Sequence, residues 1–216
     1  MSEQIPYNPL DKKNLGVSVA EALLSRDAVP LKSLKKFKGA GIYAIYYTGD
    51  FTVYRSLAHL NKRGNFKAPI YVGKAIPAGA RKGGFGLGNK PTLALFNRLA
   101  EHAESVNSAN NLKIEDFYCR YLVVDDIWIP LGESLLIAKF SPLWNTLIDG
   151  FGNHDPGKGR YEGFCPRWDV LHPGRAWATK CRRRSETIDQ IRNDIEEYFR
   201  SHPSLVRGIF HLPNQE

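Results

Sequence analysis

The sequence predicts a mixed α/β protein of the α+β type. Three short runs rich in β-branched and aromatic residues have the pattern of strands, and apolar residues at helical spacing lie between and after them. A chain of 216 residues, 43% of them hydrophobic, can bury a sizeable core, so we predict one domain over residues 1–216. Within it we expect an N-terminal arm and helix (1–39), a core (40–146) and a basic C-terminal elaboration with a helix (147–216).

The predicted strands are residues 41–47, 69–74 and 117–124, all rich in Tyr, Ile, Val or Phe. Pro69 has no N–H to donate to a ladder, which suits the first residue of a strand. Ser18 followed by Glu21 forms a capping-box pattern, and Pro91 suits a first helical turn. Ser185 predicts the cap of the last helix. The helical patterns cover residues 18–24, 54–62, 91–105, 130–140 and 185–200.

Charge is distributed unevenly along the chain. Thirty basic against 22 acidic residues give a net charge of +8. Residues 51–100 carry nine Lys or Arg and no Asp or Glu, and residues 158–184 carry eight basic and two acidic residues among aromatics. A basic balance alone indicates only solubility, but clustering favours a nucleic acid. A glycine-rich insertion, residues 76–90, predicts a loop that contacts DNA rather than a nucleotide cradle. The predicted DNA contacts are Lys74, Arg81, Lys82, Lys90, Lys158, Arg160, Arg175, Lys180, Arg182, Arg183 and Arg184.

Cysteine usage indicates a reducing compartment. Cys119, Cys165 and Cys181 are odd in number and have no CxxC spacing, so we expect no disulfide framework and a cytoplasmic protein. No apolar run is long enough for a membrane span or a signal peptide. His154 and His172 with Cys165 and Cys181 are zinc-ligand types, but their spacings match no known zinc motif.

Two helical segments carry candidate functional residues. Arg98 and His102 are four residues apart and share one flank of a predicted helix. Taken alone, Arg98 is equally well explained as a surface arginine, and His102 as a core histidine. Glu133 lies on the same helix face as Ile137 and Phe140, and a carboxylate on an apolar face is unfavourable unless it is paired or bound to a metal. Pairing with Arg98 or a lysine is as good an explanation as a metal.

Six candidate residues occur along the chain in the order Tyr43, Tyr71, Arg98, His102, Glu133 and Asn145. With these residues in this order, the chain resembles the GIY-YIG nucleases over residues 40–146. Residues 41–43 match the first signature in full, and residues 71–73 match the second with Val in place of the central Ile. The departures are a longer separation between the two motifs, the glycine-rich insertion and the basic flanks. They resemble the type II restriction endonuclease branch, especially its members with GC-rich palindromic targets.

The resemblance implies a small, mostly antiparallel three-stranded sheet flanked by helices, and metal-dependent hydrolysis of double-stranded DNA. It further implies a cognate DNA methyltransferase in the same cell. Because one chain supplies one active site, we expect a homodimer on a palindromic duplex. Asn145, which is uncharged, would orient the phosphate or the surrounding catalytic residues.

By the same resemblance, Glu133 would bind a single Mg²⁺ (or Mn²⁺), and Arg98 would donate to the scissile phosphate. Tyr43 would act as general base, with His102 and Tyr71 positioning the water or relaying its proton. A free tyrosine has a pKa near ~10, so ionising it at neutral pH costs roughly 4 kcal/mol unless cations lower that pKa.

Two other function classes remain open. A structure-selective or repair nuclease of the same superfamily would share the core and use its flanks for distorted DNA or a partner. A non-catalytic DNA-binding module would keep only the basic surfaces, and the retained set of site residues argues against it. Cleavage at one fixed sequence in intact duplex would distinguish a restriction enzyme from both.

Overall fold

A computed structural model describes residues 8–76, 92–155, 157 and 161–207. Five predicted DNA contacts, Arg81, Lys82, Lys90, Lys158 and Arg160, and nearly all of the glycine-rich insertion lie outside these ranges. Within the described ranges, no helix has the length and apolar character needed to cross a membrane.

One antiparallel sheet forms the centre of the molecule. Its strands are β1 (Val29–Pro30), β2 (Gly41–Tyr47), β3 (Tyr71–Ala75) and β4 (Phe117–Val123), in the order β1-β4-β2-β3. The predicted α+β fold with three antiparallel strands is confirmed, and the two-residue β1 extends the sheet beside β4. The second predicted strand begins at Tyr71 rather than Pro69, because the pairing with β2 begins opposite Ile45.

The register of β2 decides which face of the sheet carries each motif residue. Tyr43 lies opposite Gly73 of β3, and Ile45 lies opposite Tyr71. Directly paired residues project to the same face of an antiparallel sheet, so the two motif tyrosines share one face. Lys74 lies opposite Ile42 and therefore belongs to the other face.

The first helix and the last long helix begin at other residues, with other caps, than the sequence predicted. The first helix begins at Lys12, because Asp11 accepts the N–H of Lys13 and caps it, which leaves Ser18 inside the helix. The last long helix begins at Ile188 and is capped by Thr187 rather than Ser185. The α-helices of the described residues are α1 (Lys12–Leu24), α2 (Arg55–Asn61), α3 (Ala94–Ser108), α4 (Ile129–Phe140), α5 (Leu143–Thr146), α6 (Arg167–Leu171), α7 (Ile188–Ser201) and α8 (Pro203–Arg207).

Both faces of the sheet are covered, which explains why every residue of β2 is buried. On one face, Ile42, Ala44 and Tyr46 pack against α1 and α4. On the other face, the cluster that contains Tyr43 and Ile45 packs against α3, α5, α6 and α7. The motif tyrosines therefore lie between the sheet and the helices that follow them.

The C-terminal segment shares the core of the tyrosine face. Trp168 of α6 is fully buried, with its ring centroid 5.8 Å from that of Trp144. On α7, Ile191, Ile195 and Phe199 are buried, whereas Ile188 is 40% exposed and does not belong to the packing stripe that the sequence predicted. The C-terminal segment thus helps to enclose the site residues.

Candidate active site

Two tyrosines and a histidine form a compact aromatic cluster on one face of the sheet. The Tyr43 hydroxyl lies 2.6 Å from His102 Nε2, within hydrogen-bond distance. The Tyr71 ring centroid is 6.2 Å from that of Tyr43 and 5.2 Å from that of His102. A Cβ on Gly73 would lie 2.4 Å from the Tyr43 hydroxyl oxygen, so the glycine of the second motif makes room for that hydroxyl above β3.

Helix α3 positions His102 and Arg98 differently from the sequence prediction. His102 is buried with Leu95, Leu99 and Val106, at the spacing of one helix face, so it lies at the centre of the packing stripe rather than on its flank. Arg98, one turn earlier, keeps 22% of its side chain exposed. The helix therefore presents a neutral ring to the tyrosines and a cation at the rim of the cluster.

The Arg98 guanidinium is held from two sides. Nη1 donates to Glu101 Oε2 (3.0 Å) and to His154 Nε2 (2.5 Å), and Nη2 donates to the carbonyl oxygen of Gly152 (2.7 Å). Only the pair with Glu101, three residues along the helix, follows from helical spacing. The other two partners come from a loop after α5, and no motif in the sequence indicates them.

Residues 150–154, which we call the cover loop, lie against the cluster. The Phe151 ring stacks on His102, with centroids 4.5 Å apart and an interplanar angle of 14°. Its centroid is 5.0 Å from that of Tyr71. A Cβ on Gly152 would lie 2.8 Å from the Tyr71 hydroxyl and 3.0 Å from Arg98 Nη2, so a side chain there would displace both groups.

Burial dominates the electrostatics of the cluster. It raises the pKa of Tyr43 well above its usual value, and the neighbouring Tyr71 raises that pKa further, whereas Arg98 lowers it. Burial also raises the pKa of Tyr71, with Arg98 acting against it and the Glu133 charge adding to it. Burial, and then the Arg98 charge, hold the pKa of His102 well below its ordinary value. At neutral pH both phenols and the imidazole are uncharged.

Glu133 lies on helix α4, which packs on the face of the sheet opposite the two tyrosines. Its carboxylate pairs with Lys74, Oε2 to Nζ 2.6 Å, and 17% of its side chain is exposed. The lysine therefore supplies the pairing that the sequence left open, and Arg98 pairs with Glu101 instead. A cleft of about 410 Å³, lined in part by Lys74, Arg98, Glu101 and His154, opens beside the cluster.

The donor set fits a hard cation that relies on ligands from outside the protein. Glu133 is a carboxylate whose charge reaches both phenols. In the part of the chain that the structure describes, no group of three or more His, Cys, Asp or Glu side chains could hold a metal. Mg²⁺ prefers oxygen ligands and usually keeps several waters, so one carboxylate can suffice when a substrate phosphate also binds it. The donors present are compatible with such an ion.

Asn145 binds backbone rather than facing the tyrosines. Its Nδ2 donates to the carbonyl oxygen of Val72, and its Oδ1 accepts the N–H of Val72, each at 2.8 Å. Among the strands of the described residues β3 is the edge, so these two bonds satisfy backbone groups that none of those strands pairs. Asn145 thus holds the strand that carries Tyr71.

The predicted phosphate contacts fall into two groups. Arg175 does not fit that prediction, because it is buried and bonded to Asp169 and to loop carbonyls. Arg184 pairs with Glu186 (Nε to Oε2 2.7 Å). The others in the C-terminal segment are exposed: Lys180, whose Nζ lies 5.2 Å from the Tyr161 ring centroid, Arg182, whose Cζ lies 5.0 Å from that of Phe164, and Arg183.

The structure does not bring together the four residues that the sequence offered as zinc-ligand types, which are His154, Cys165, His172 and Cys181. No group of three or more possible metal ligands occurs among the described residues. His172 is buried and hydrogen-bonds to the Tyr54 hydroxyl and to Asn111. His154 contacts Arg98. Cys165 and Cys181 are partly exposed free thiols.

Comparison with known proteins agrees with the geometry. Residues 35–199 match the family described as the Eco29kI GIY-YIG domain. No curated protein matches the chain. The matched range includes all six residues of the sequence resemblance and also the cover loop, α6 and most of α7. The chain therefore belongs to the Eco29kI GIY-YIG domain family, a family of restriction endonucleases.

Proposed function

We propose that the protein is a type II restriction endonuclease that hydrolyses phosphodiester bonds of double-stranded DNA at a specific sequence, using one divalent metal ion per active site. The observation that carries the proposal is the convergence of Tyr43, Tyr71, His102 and Arg98 beside an open cleft. A neutral proton-transfer pair next to a cation suits the attack of water on a phosphodiester.

Tyr43 and His102 act together on the proton of the attacking water. Burial makes a free tyrosinate unfavourable, so Tyr43 passes its own proton to His102 Nε2 as it receives one from the water. The depressed pKa of His102 keeps its ring neutral at neutral pH, and in the tautomer protonated at Nδ1 the Nε2 atom accepts that proton. The imidazolium forms only as negative charge develops on the phosphate, and the two charges offset each other. Tyr71, against the same ring, orients the water.

Arg98 binds the scissile phosphate. Its planar guanidinium can donate to two phosphate oxygens, and its partners Gly152, Glu101 and His154 hold it at the rim of the cleft. A preorganised donor stabilises the charge that develops in the transition state without further reorganisation.

Glu133 would hold the divalent cation, Mg²⁺ or Mn²⁺, together with the phosphate and waters. When bound, the ion supplies neutralisation of phosphate charge and activation of a water or a leaving oxygen. Lys74 balances the Glu133 carboxylate in the free protein and, in this proposal, turns to the DNA backbone when the cation binds.

Two chains act on each palindromic site. Each chain contributes one Tyr43, one Arg98 and one Glu133, so cutting both strands in one encounter requires a symmetric pair. The interface would lie in the first 40 residues or in α7. With a charge of +8 on each chain, the pair is expected to form on DNA. A cognate DNA methyltransferase in the same cytoplasm would protect the host sites.

Digestion of unmethylated genomic DNA with Mg²⁺ tests the function. The proposal predicts discrete fragments whose ends all carry one sequence. Cleavage confined to branched or damaged duplexes would favour a structure-selective nuclease, and binding without cleavage would leave only a DNA-binding module.

Glu133→Gln tests the metal ligand. The substitution removes the charge with little change of shape, so Mg²⁺-supported cleavage should fall below detection while specific DNA binding persists. Glu115→Gln is the matched control, because Glu115 also pairs with a lysine, Lys32, but lies on the exposed surface and should cut normally. Substantial cleavage by Glu133→Gln would remove Glu133 from the metal site.

A further inference from the structure

The buried ion pair of Arg175 and Asp169 lies behind the cover loop. Their side chains are only 5% and 1% exposed. Arg175 Nε donates to Asp169 Oδ1 at 2.6 Å, and Nη2 donates to Oδ2 at 2.5 Å. The guanidinium carbon lies 4.5 Å from the ring centroid of Trp168 and 4.7 Å from that of Trp177. The head group is therefore fixed in position by a carboxylate and two indoles.

The remaining donors of Arg175 all reach the cover loop. Nη2 donates to the carbonyl oxygen of Gly150 (2.9 Å), and Nη1 donates to those of Phe151 (3.3 Å) and Asn153 (3.1 Å). Together with the two bonds to Asp169, these contacts use all five N–H groups of the guanidinium. No N–H remains for a DNA phosphate.

The opposite side of the same loop faces the reacting groups. Phe151 stacks on His102, the Gly152 carbonyl accepts from Arg98 Nη2, and His154 Nε2 accepts from Arg98 Nη1. Five consecutive loop residues thus connect a buried, rigid ion pair to the cation at the rim of the cleft.

We propose that Arg175, anchored by Asp169, is a positioning residue that sets the orientation of Arg98 through the carbonyls of the cover loop. The inference rests on the proposed function of Arg98 as a phosphate ligand. Arg175 touches neither substrate nor the reacting atoms. It determines where the loop carbonyl and His154 hold the Arg98 guanidinium, and a displacement of about 1 Å at a reacting group can reduce a rate by about 100-fold.

Arg175→Lys is the main test. Lysine keeps the charge opposite Asp169 but cannot bridge a carboxylate and three carbonyls with a fixed fork. The single-turnover cleavage rate at saturating DNA should fall about 10- to 100-fold. The dissociation constant for DNA should stay within about twofold, and its salt dependence should not change, because a buried guanidinium contacts no phosphate.

Arg167→Lys is the matched control. Arg167 is 14% exposed and lies in the same segment. Its guanidinium donates to Glu186, to Asp194 and to the carbonyl oxygen of Leu147, none of which belongs to the cover loop. Arg167→Lys should lower the melting temperature as much as Arg175→Lys does. It should leave the single-turnover cleavage rate per folded molecule unchanged. An equal rate loss in the two variants would mean that Arg175 only supports the fold. If Arg175→Lys lowered the log–log salt slope of DNA binding by about 0.9, Arg175 would be a phosphate contact instead. Either result overturns the proposal.

Two further measurements keep the test decisive. If Arg175→Lys does not fold, Asp169→Asn replaces it, and a wild-type rate in that variant overturns the role of the pair. Hydrogen exchange of residues 150–154 needs no activity: it should be faster in Arg175→Lys, or in Asp169→Asn where that variant replaces it, and unchanged in Arg167→Lys. If the wild-type chain cuts no duplex, the proposed function fails, and the exchange result alone decides whether the pair holds the loop.

Discussion

The described part of the chain contains two buried tyrosine–histidine pairs, and their surroundings differ. Tyr43 lies 2.6 Å from His102 Nε2, and Tyr54 lies 2.7 Å from His172 Nε2. Burial raises the pKa of both phenols and lowers the pKa of both imidazoles. The hydrogen bond and the degree of burial therefore do not distinguish the two pairs.

The second pair is closed off by neutral partners. Trp144 Nε1 donates to the Tyr54 hydroxyl (3.0 Å), and His172 Nδ1 lies 2.8 Å from Asn111 Oδ1, whose own amide donates to a backbone carbonyl. His172 therefore donates from Nδ1 and accepts from Tyr54 at Nε2. Only the first pair has Arg98 and the Glu133 charge acting on it. A tyrosine–histidine hydrogen bond is thus a packing unit, and charged neighbours beside a cleft make one of them a candidate for catalysis.

The largest expected effect comes from replacing the guanidinium that distinguishes the first pair. Arg98→Lys keeps a positive charge but loses the fork that Gly152 and Glu101 hold. The single-turnover rate should fall about 10²- to 10³-fold, as for the loss of one preorganised donor. Arg120→Lys is the control, because Arg120 also donates to a carbonyl and to a tyrosine, Tyr46, which lies on the other face of the sheet. This variant should keep the wild-type rate.

Stability, rather than rate, should report on the second pair. Tyr54→Phe leaves Trp144 Nε1 and His172 Nε2 without their partner in the core, at a cost of about 1–3 kcal/mol in the free energy of unfolding. Urea unfolding measures that loss. Cleavage per folded molecule should equal that of the wild type, and a large rate loss would show that the two pairs are functionally coupled.

The pH dependence of stability follows from the same burial. The pKa of His172 falls to about 3 in the folded protein, against ~6.5 in the unfolded chain. Between these values the unfolded chain binds a proton that the folded chain does not, so stability decreases as pH falls from 6.5 towards 3, by up to about 1.4 kcal/mol per pH unit. In His172→Gln the slope between pH 6 and 5 should decrease by about one proton. An unchanged slope would mean that His172 protonates in the folded state.

The smallest effect concerns the exposed arginines beyond the core. Replacing Arg182 and Arg183 by glutamine should lower the log–log salt slope of DNA binding by about 0.9 for each phosphate that the variant no longer binds. Arg184→Gln should leave the slope unchanged, because its guanidinium already pairs with Glu186. Equal slopes for all variants would place this cluster away from the DNA.

The sequence predicts elements and motif residues well where a local pattern determines them. Strands β2 and β4 and helix α4 follow from apolar patterns that hold over at least seven residues, and Tyr43, Tyr71, Arg98 and His102 follow from short motifs. The predicted cap of α7 is wrong, because Ser185 and Thr187 are both suitable caps and only Thr187 has Gln190 three residues later. The capping-box pattern therefore decides between two neighbouring residues that are each suitable caps.

The supports of the site could not be predicted, because they depend on contacts between distant segments. Arg175 lies within a basic run, where a phosphate contact is the natural interpretation. In the fold it is buried, and it donates to backbone carbonyls 22 to 25 residues earlier in the chain. Likewise, nothing local to Phe151 indicates that its ring stacks on His102. Burial of a charge is a property of the folded chain and cannot be read from the composition of a segment.

Tyr43 and Tyr54 have unequal roles in the proposed mechanism, and one paired experiment measures the difference. Tyr43→Phe and Tyr54→Phe each remove one tyrosine hydroxyl that is hydrogen-bonded to a buried histidine. At saturating DNA and Mg²⁺, under conditions where circular dichroism shows both variants folded, Tyr43→Phe should lose at least about 100-fold in single-turnover rate. Tyr54→Phe should cut at the wild-type rate. Equal rates for the two variants would contradict the assignment of Tyr43 to proton removal.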